Sequence, residues 1–103
     1  MKTNLYGSIP DFLPEELVTE LVNSPSVRIE RIVSDGHKSE PEFWYEQSEN
    51  EFVVLLSGSA ILEFENTKTN MIPGDYINIP VGIKHRVVAT SKAEKTIWLC
   101  IFY

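Results

Sequence analysis

The chain has 103 residues, of which 43% are hydrophobic, and its formal net charge is −6. This length favours one compact domain and excludes two, while nine scattered Lys and Arg residues exclude a nucleic-acid-binding surface. The N-terminus lacks the basic-then-apolar pattern of a signal peptide, and no apolar run reaches membrane-spanning length. We therefore expect a cytoplasmic protein with neither a membrane nor a nucleic acid as partner.

The first predicted element is a short helix over residues 14–23. Its apolar residues at helical spacing are Leu13, Leu17, Val18 and Leu21. A proline suits the first helical position, and the turn Asn23-Ser24-Pro25 ends the helix. We expect residues 1–26 to form an N-terminal arm with this helix, packed outside a barrel of residues 27–103 within one structural domain.

Short strands and turns are predicted for the whole chain after Pro25. The predicted strands cover residues 27–33, 52–56, 60–64, 76–79, 85–89 and 96–103. The polar segment 65–70 is predicted to be a hairpin tip. The last strand contains Cys100, the only cysteine, which we expect to be a buried and inert thiol, with Trp98 and Phe102 in the core. Short strands at this spacing are typical of a barrel or sandwich.

One turn–strand–turn segment carries a specific pattern, from Gly74 to His85. It reads Gly-x5-Pro-x-Gly-x2-His and resembles the second motif of the cupin family, although Ala89 stands where that pattern ends in asparagine. Glycines at both ends of the strand permit the chain to reverse, and His85 then begins the next strand. Upstream, Glu51 and Gly58, with six residues between them, resemble the second half of the first cupin motif.

The first half of that motif differs from the family because its two histidines are absent. A four-residue spacer before Glu51 puts Trp44 and Glu46 in the histidine positions, whereas a three-residue spacer puts Tyr45 and Gln47 there. The chain is thus similar to small single-domain cupins of the cupin-2 type, with a degenerate first motif. The resemblance implies an all-β, double-stranded β-helix (jelly-roll) barrel and, in the family, a divalent metal held by three histidines and a glutamate.

The chain has only two histidines, so the usual three-histidine site cannot form. The resemblance carries over only Glu51 and His85. The candidate metal ligands are Glu46, Gln47, Glu51 and His85. Carboxylate and amide oxygens with one imidazole suit Mn²⁺, Mg²⁺, Zn²⁺ or Fe²⁺ better than copper, and Ni²⁺ is a further candidate. Equally, Glu46 could be a solvated loop residue that binds no metal.

Candidate walls for a ligand pocket are the aromatic residues Trp44, Tyr45 and Tyr76, which could otherwise be core or interface residues. His37 follows Gly36 in a polar loop. It is either a surface histidine or a second nitrogen ligand that reaches the barrel mouth.

Three functions are consistent with these residues. The first is a cupin that binds a divalent metal and a small molecule, as the resemblance implies, with isomerase, lyase or oxygenase activity if it is an enzyme. The second is a non-catalytic small-molecule-binding or sensory module that has lost the metal. The third is a purely structural component of a dimer. We expect a homodimer, because the resemblance implies it, the domain is small and two strands carry apolar runs.

Overall fold

The computed structural model describes residues 1–103 and contains eight strands and no helix. The strands are β1 (Leu17–Asn23), β2 (Arg28–Ser34), β3 (Glu51–Ser57), β4 (Ala60–Phe64), β5 (Lys68–Met71), β6 (Tyr76–Ile79), β7 (His85–Thr90) and β8 (Thr96–Phe102). They form two antiparallel sheets, one of five strands in the order β1-β2-β8-β3-β6 and one of three in the order β5-β4-β7. The predicted all-β architecture is confirmed.

The main core lies between the two sheets. Its buried side chains are Val53, Leu55, Ala60, Leu62, Met71, Ile79, Trp98, Cys100 and Phe102. Alternate residues of β3 and β8 supply most of this set, because successive side chains of a strand point to opposite faces of a sheet. The predicted core positions of Trp98 and Phe102 and the burial of Cys100 are confirmed. Removing these side chains from water is the main force that holds the sheets together.

The predicted N-terminal helix is wrong, because residues 17–23 form strand β1. This strand pairs antiparallel with β2, from Leu17 opposite Val33 to Asn23 opposite Arg28. In so short a segment, the spacing of the apolar residues fits the period of a helix as well as that of a strand. An isolated helix of this length is also marginal in water. Its β-branched residues and the free edge of β2 favour the strand, since pairing satisfies a row of backbone hydrogen-bonding groups.

The predicted hairpin tip of residues 65–70 is too long. Residues 68–71 form β5, which pairs with β4 from Ala60 opposite Met71 to Glu63 opposite Lys68. The polar composition of β5 conceals it in the sequence, because only Met71 of this strand is buried. The reversal itself is short, and Phe64 and Thr67 exchange two backbone hydrogen bonds across it.

Residues before β1 pack on the outer face of the larger sheet. Leu13 contacts Val33 and Ile97 in a second apolar cluster. The Arg31 guanidinium lies in the same region and donates hydrogen bonds to the carbonyl oxygens of Leu5 (3.1 Å) and Gly7 (2.6 Å). This arm therefore covers one end of that face. The structure has no helix with the length and apolar character needed to cross a membrane.

Candidate functional site

A cavity of about 260 Å³ lies between the sheets and is lined by seventeen residues, ten of them hydrophobic. Its lining comes from all five strands of the larger sheet and from β4 and β7 of the smaller sheet. Aromatic rings from Tyr45, Trp98 and Phe102 contribute to its walls. Such a concave, largely apolar space with few polar groups is typical of small-molecule sites.

Glu51 and His85 meet inside this cavity. Glu51 begins β3 and His85 begins β7, and each is less than 9% exposed. Gly74 and Gly82 have φ of 95° and 82°, so the chain reverses at both ends of β6 in conformations that favour glycine. His85 Nε2 lies 3.3 Å from Glu51 Oε1. The structure thus brings together the two residues that match the cupin motifs.

The His85 ring is oriented by its other nitrogen, which lies 3.0 Å from the carbonyl oxygen of Ile83. Nδ1 must carry a proton to donate to that carbonyl, so Nε2 faces the Glu51 carboxylate. Burial lowers the pKa of His85, but the Glu51 carboxylate and the Ile83 carbonyl together raise it above 6.5. At mildly acidic pH, His85 is therefore a protonated imidazole beside the buried carboxylate of Glu51.

Glu51 nevertheless keeps an unused acceptor. Oε1 is buried and makes no well-aligned hydrogen bond, and its one close polar contact is the 3.3 Å ion pair with His85 Nε2. Gln47 Oε1 is also buried without a partner and lines the same cavity. Buried polar atoms normally have partners, so two unsatisfied acceptors in one cavity indicate a place for a ligand with donors.

The segment before β3 turns alternate side chains into the cavity. Tyr45 forms an isolated bridge with His85, with backbone hydrogen bonds of 2.8 and 3.0 Å, and its ring stacks on the imidazole at 5.6 Å. Gln47 lines the cavity two residues later, and its backbone carbonyl accepts a hydrogen bond from the Gly82 amide. The three-residue spacer is therefore the one that brings its residues into the cavity.

The structure does not bring three of the other candidates to this cavity. Glu46 is exposed and pairs with Lys84 at 3.8 Å. Trp44 lies under the Arg86 guanidinium at 5.7 Å, and neither residue lines the cavity. The third, Tyr76, is 66% exposed on β6.

Tyr76 and His37 both lie outside the cavity, where each has local contacts of its own. Tyr76 packs against the Phe52 ring at 5.2 Å, on the face of the larger sheet opposite to the cavity. His37 stays in its loop, where Nδ1 accepts a hydrogen bond from the Asp35 amide at 2.9 Å. His37 is absent from the cavity lining and supplies no second nitrogen there.

A charged group on β2 at the cavity was not predicted from the sequence. The Arg28 guanidinium donates to Glu30 (3.1 Å) and to Glu49 (2.8 Å) and lies 4.2 Å from the centre of the Phe102 ring. Arg28 and Glu30 line the cavity, as does Glu16 at the start of the β1 segment. The signal available was the spacing of Arg28, Glu30 and Ile32, which places all three on one face of a strand.

The family model described as "Cupin domain" matches residues 30–102. The chain belongs to the cupin family. Among solved structures, this cupin is similar to a "putative mannose-6-phosphate isomerase" from Ralstonia eutropha JMP134, with 36% identity and a TM-score of 0.95 over 99% of this chain and 96% of that chain. No curated protein matches the chain in sequence.

Solved structures with lower sequence identity show the fold alone. A cupin superfamily protein from Desulfitobacterium hafniense DCB-2 has 22% identity and a TM-score of 0.76, covering 91% of this chain and 82% of that chain. The Clostridium difficile EutQ protein has 15% identity and a TM-score of 0.69, covering 85% of this chain and 67% of that chain.

The side chains of this cupin do not fit the metal site that its family implies. No three His, Cys, Asp or Glu side chains come together, and Tyr45 and Gln47 hold the positions of the two missing histidines. Burial, aided by Glu16, Glu51 and Cys100, raises the pKa of Tyr45, so its phenol stays protonated. Burial likewise raises the pKa of the Cys100 thiol well above its ordinary value. Neither group is the anion that a metal prefers as ligand.

Proposed function

We propose that this cupin is a small-molecule-binding module that accepts a hydrogen-bond-donating ligand against Glu51 and has no resident metal ion. The observation that carries the proposal is the buried Glu51 Oε1, which has no hydrogen-bond partner and faces an apolar cavity. A hydrogen-bond donor of the ligand would satisfy this oxygen, whose burial without a partner otherwise costs about 1–3 kcal/mol. The apolar walls would contribute the remaining binding free energy.

The metal-dependent enzyme expected from the family is the competing function. Its support is that His85 Nε2 and Glu51 Oε1 are 3.3 Å apart, a separation at which one ion could contact both. It requires further protein ligands, however, and the candidates Tyr45 and Gln47 offer a protonated phenol and an amide. Two strong protein ligands would hold a metal ion more weakly than the three or four ligands that protein zinc sites use.

The metal content of the protein distinguishes these two functions. Protein purified without a histidine tag should contain far less than one equivalent of Zn, Mn, Fe or Ni by mass spectrometry. Titration with each ion should leave the thermal unfolding midpoint unchanged, and Glu51→Gln should behave like the native chain in that titration. One tightly bound ion per chain that Glu51→Gln loses would support the metal-dependent enzyme instead.

The Ralstonia relative raises the specific alternative of a sugar-phosphate isomerase. The cavity offers little support for it, because ten of its seventeen lining residues are hydrophobic and its only guanidinium is engaged by two carboxylates. We expect no interconversion of mannose 6-phosphate and fructose 6-phosphate by this protein, with or without added Zn²⁺ or Mn²⁺. A turnover that His85→Ala abolishes would overturn the proposal of a non-catalytic module.

Occupancy of the cavity can be tested with a neutral probe, 2-phenylethanol, whose hydroxyl donates one hydrogen bond. We expect it to shift the backbone amide resonances of cavity residues such as Val53 and Cys100. Val87→Phe should block the probe, because Val87 lines the cavity. The matched control is Ile61→Phe, since Ile61 lies between the buried Ala60 and Leu62 on β4, faces the other side of the smaller sheet, and does not line the cavity. Equal shifts in both variants would contradict binding at this cavity.

We also propose that the protein is a homodimer joined through the outer face of the larger sheet. Four apolar side chains there form two cross-strand pairs, Phe52 with Ile101 and Val54 with Leu99. All four are only half-buried in the single chain. Light scattering should give the mass of two chains, and Val54→Glu should reduce it to one, whereas Val88→Glu on the smaller sheet should leave it unchanged. A single-chain mass for the native protein would refute the dimer.

A further inference from the structure

We propose that the cavity selects a ligand that carries a protonated amine on an apolar body and discriminates against anions. This inference rests on the proposed function above and adds the chemical class of the ligand. The charge of the cavity, the kind of polar atom left without a partner, and the nature of its walls each support it.

The charged groups that line the cavity are predominantly acidic. Glu16, Glu30 and Glu51 contribute three carboxylates, against one guanidinium from Arg28 and the imidazole of His85. Lysine is absent from the lining. A cleft with low-dielectric walls concentrates the field of its charges, so this excess of carboxylates attracts cations and repels anions.

Arg28, the one permanent cation of the lining, is already neutralised. Its Nε and Nη1 donate to Glu30 and Glu49 at 3.1 and 2.8 Å, and its guanidinium lies against the Phe102 ring. Binding an anionic ligand there would require breaking one of these charge-assisted hydrogen bonds. The guanidinium that usually recognises a carboxylate or phosphate is therefore not free in this cavity.

The unsatisfied atoms of the cavity are acceptors. Glu51 Oε1 and Gln47 Oε1 are the buried lining oxygens without a hydrogen-bond partner, and the Glu51 side chain is only 10% exposed. An ammonium group has three donors and no acceptor, so it matches oxygens of this kind and leaves no acceptor of its own buried. A carboxylate or phosphate has only acceptors when ionised and would face both oxygens without a shared proton.

The walls suit the rest of such a molecule. Tyr45, Trp98 and Phe102 present aromatic side chains to the cavity. The face of an aromatic ring attracts a cation and also packs against an apolar body. A cavity of about 260 Å³ lies at or just below the lower end of the range for drug-sized ligands, which favours a compact molecule such as an arylalkylamine.

The experiment compares three probes that share one body and differ in charge: phenethylamine, 2-phenylethanol and 3-phenylpropanoate. At neutral pH we expect the amine to bind at least about tenfold more tightly than the alcohol in calorimetric titration, and the acid to bind more weakly than both. Glu30→Gln, which removes one lining carboxylate, should weaken amine binding severalfold and strengthen acid binding.

Two further variants control for effects of the Glu30→Gln substitution on folding and on the overall charge of the protein. Glu94→Gln makes the same charge change on an exposed residue outside the cavity, and it should alter neither affinity. Glu16→Gln removes another lining carboxylate from an exposed position, so it should reproduce the effect of Glu30→Gln without disturbing the Arg28 contacts.

The outcomes separate the charge inference from the proposed function. If the alcohol binds as tightly as the amine, or the acid binds most tightly, the protein still binds small molecules and the inference about charge is overturned. If none of the three probes binds, both are overturned. If Glu94→Gln weakens amine binding as much as the two lining variants do, the selectivity comes from the overall acidity of the protein and not from the cavity.

Discussion

Two groups of charged side chains share the cavity and differ in their access to water. The Glu51–His85 pair is buried, with side chains 10% and 7% exposed. The Arg28 group, defined as Arg28 with Glu30 and Glu49, lies nearer the solvent, with side chains 31%, 18% and 41% exposed. Similar ionic contacts should therefore have different energies, because water screens the second group and scarcely reaches the first.

The difference suggests a division of roles. A buried charge that loses its partner cannot be resolvated, so the Glu51–His85 pair is tied to the stability of the fold. The Arg28 group can exchange its contacts for water at little cost, so it can set the charge seen by an entering ligand without much effect on folding. Changes in the two groups should accordingly separate stability from selectivity.

The largest effect is expected from His85→Ala, which leaves the Glu51 carboxylate buried without a counterion. We expect a loss of about 3 kcal/mol in the free energy of unfolding, measured in urea. His37→Ala is the control, since His37 lies in a loop outside the cavity and should cost no more than about 0.5 kcal/mol. Equal losses would show that the buried pair has no special energetic role.

Replacing both members of the pair should restore much of that stability. In the double variant Glu51→Met with His85→Leu no charge remains buried, so we expect about 2 kcal/mol to be recovered relative to His85→Ala. The same double variant should no longer bind phenethylamine. A double variant as unstable as His85→Ala would mean that packing of the imidazole, and not the orphaned carboxylate, causes the loss.

The pH dependence of stability should come from the buried pair. The pKa of folded His85 is raised above 6.5, so the stabilisation is fully present below pH 6.5 and is lost as pH rises through the folded-state pKa. Unfolding in urea across this range, in a His37→Ala background, should show this decrease, and the additional change His85→Asn should remove it. A stability that rises with pH over this interval would contradict the pairing of a protonated His85 with Glu51.

The smallest effect is expected in the Arg28 group. Glu49→Gln removes one half-exposed partner while Glu30 remains, so the free energy of unfolding should change by no more than about 1 kcal/mol. Adding salt to about 1 M should reduce the difference further by screening. A loss as large as that of His85→Ala would abolish the distinction between the two groups.

The sequence predicted the parts of the fold that depend on local chemistry. The strands around residues 52–56, 76–79 and 96–103 follow from apolar, β-branched runs between turn residues, and the structure confirms them within a residue or so. The meeting of Glu51 and His85 follows from the cupin motifs, whose glycines take positive φ at Gly74 and Gly82.

Other elements could not be recognised from neighbouring residues. Residues 17–23 have an apolar pattern that fits either a helix or a strand, and only the free edge of β2 selects the strand. The polar strand β5 exists because β4 supplies its backbone partners. The choice between Trp44 with Glu46 and Tyr45 with Gln47 likewise depends on the bridge to His85, which fixes which alternate side chains enter the cavity.

The sequence by itself determined the all-β class, the reversals around β6 and the arrival of one imidazole and one carboxylate at a common place. Only the tertiary structure decided which face each strand turns inward, and with it the presence of Arg28 and Glu30 at the cavity. The physical reason is that a strand completes its hydrogen bonds with segments distant in sequence. A shift of one residue in that pairing exchanges its inner and outer faces.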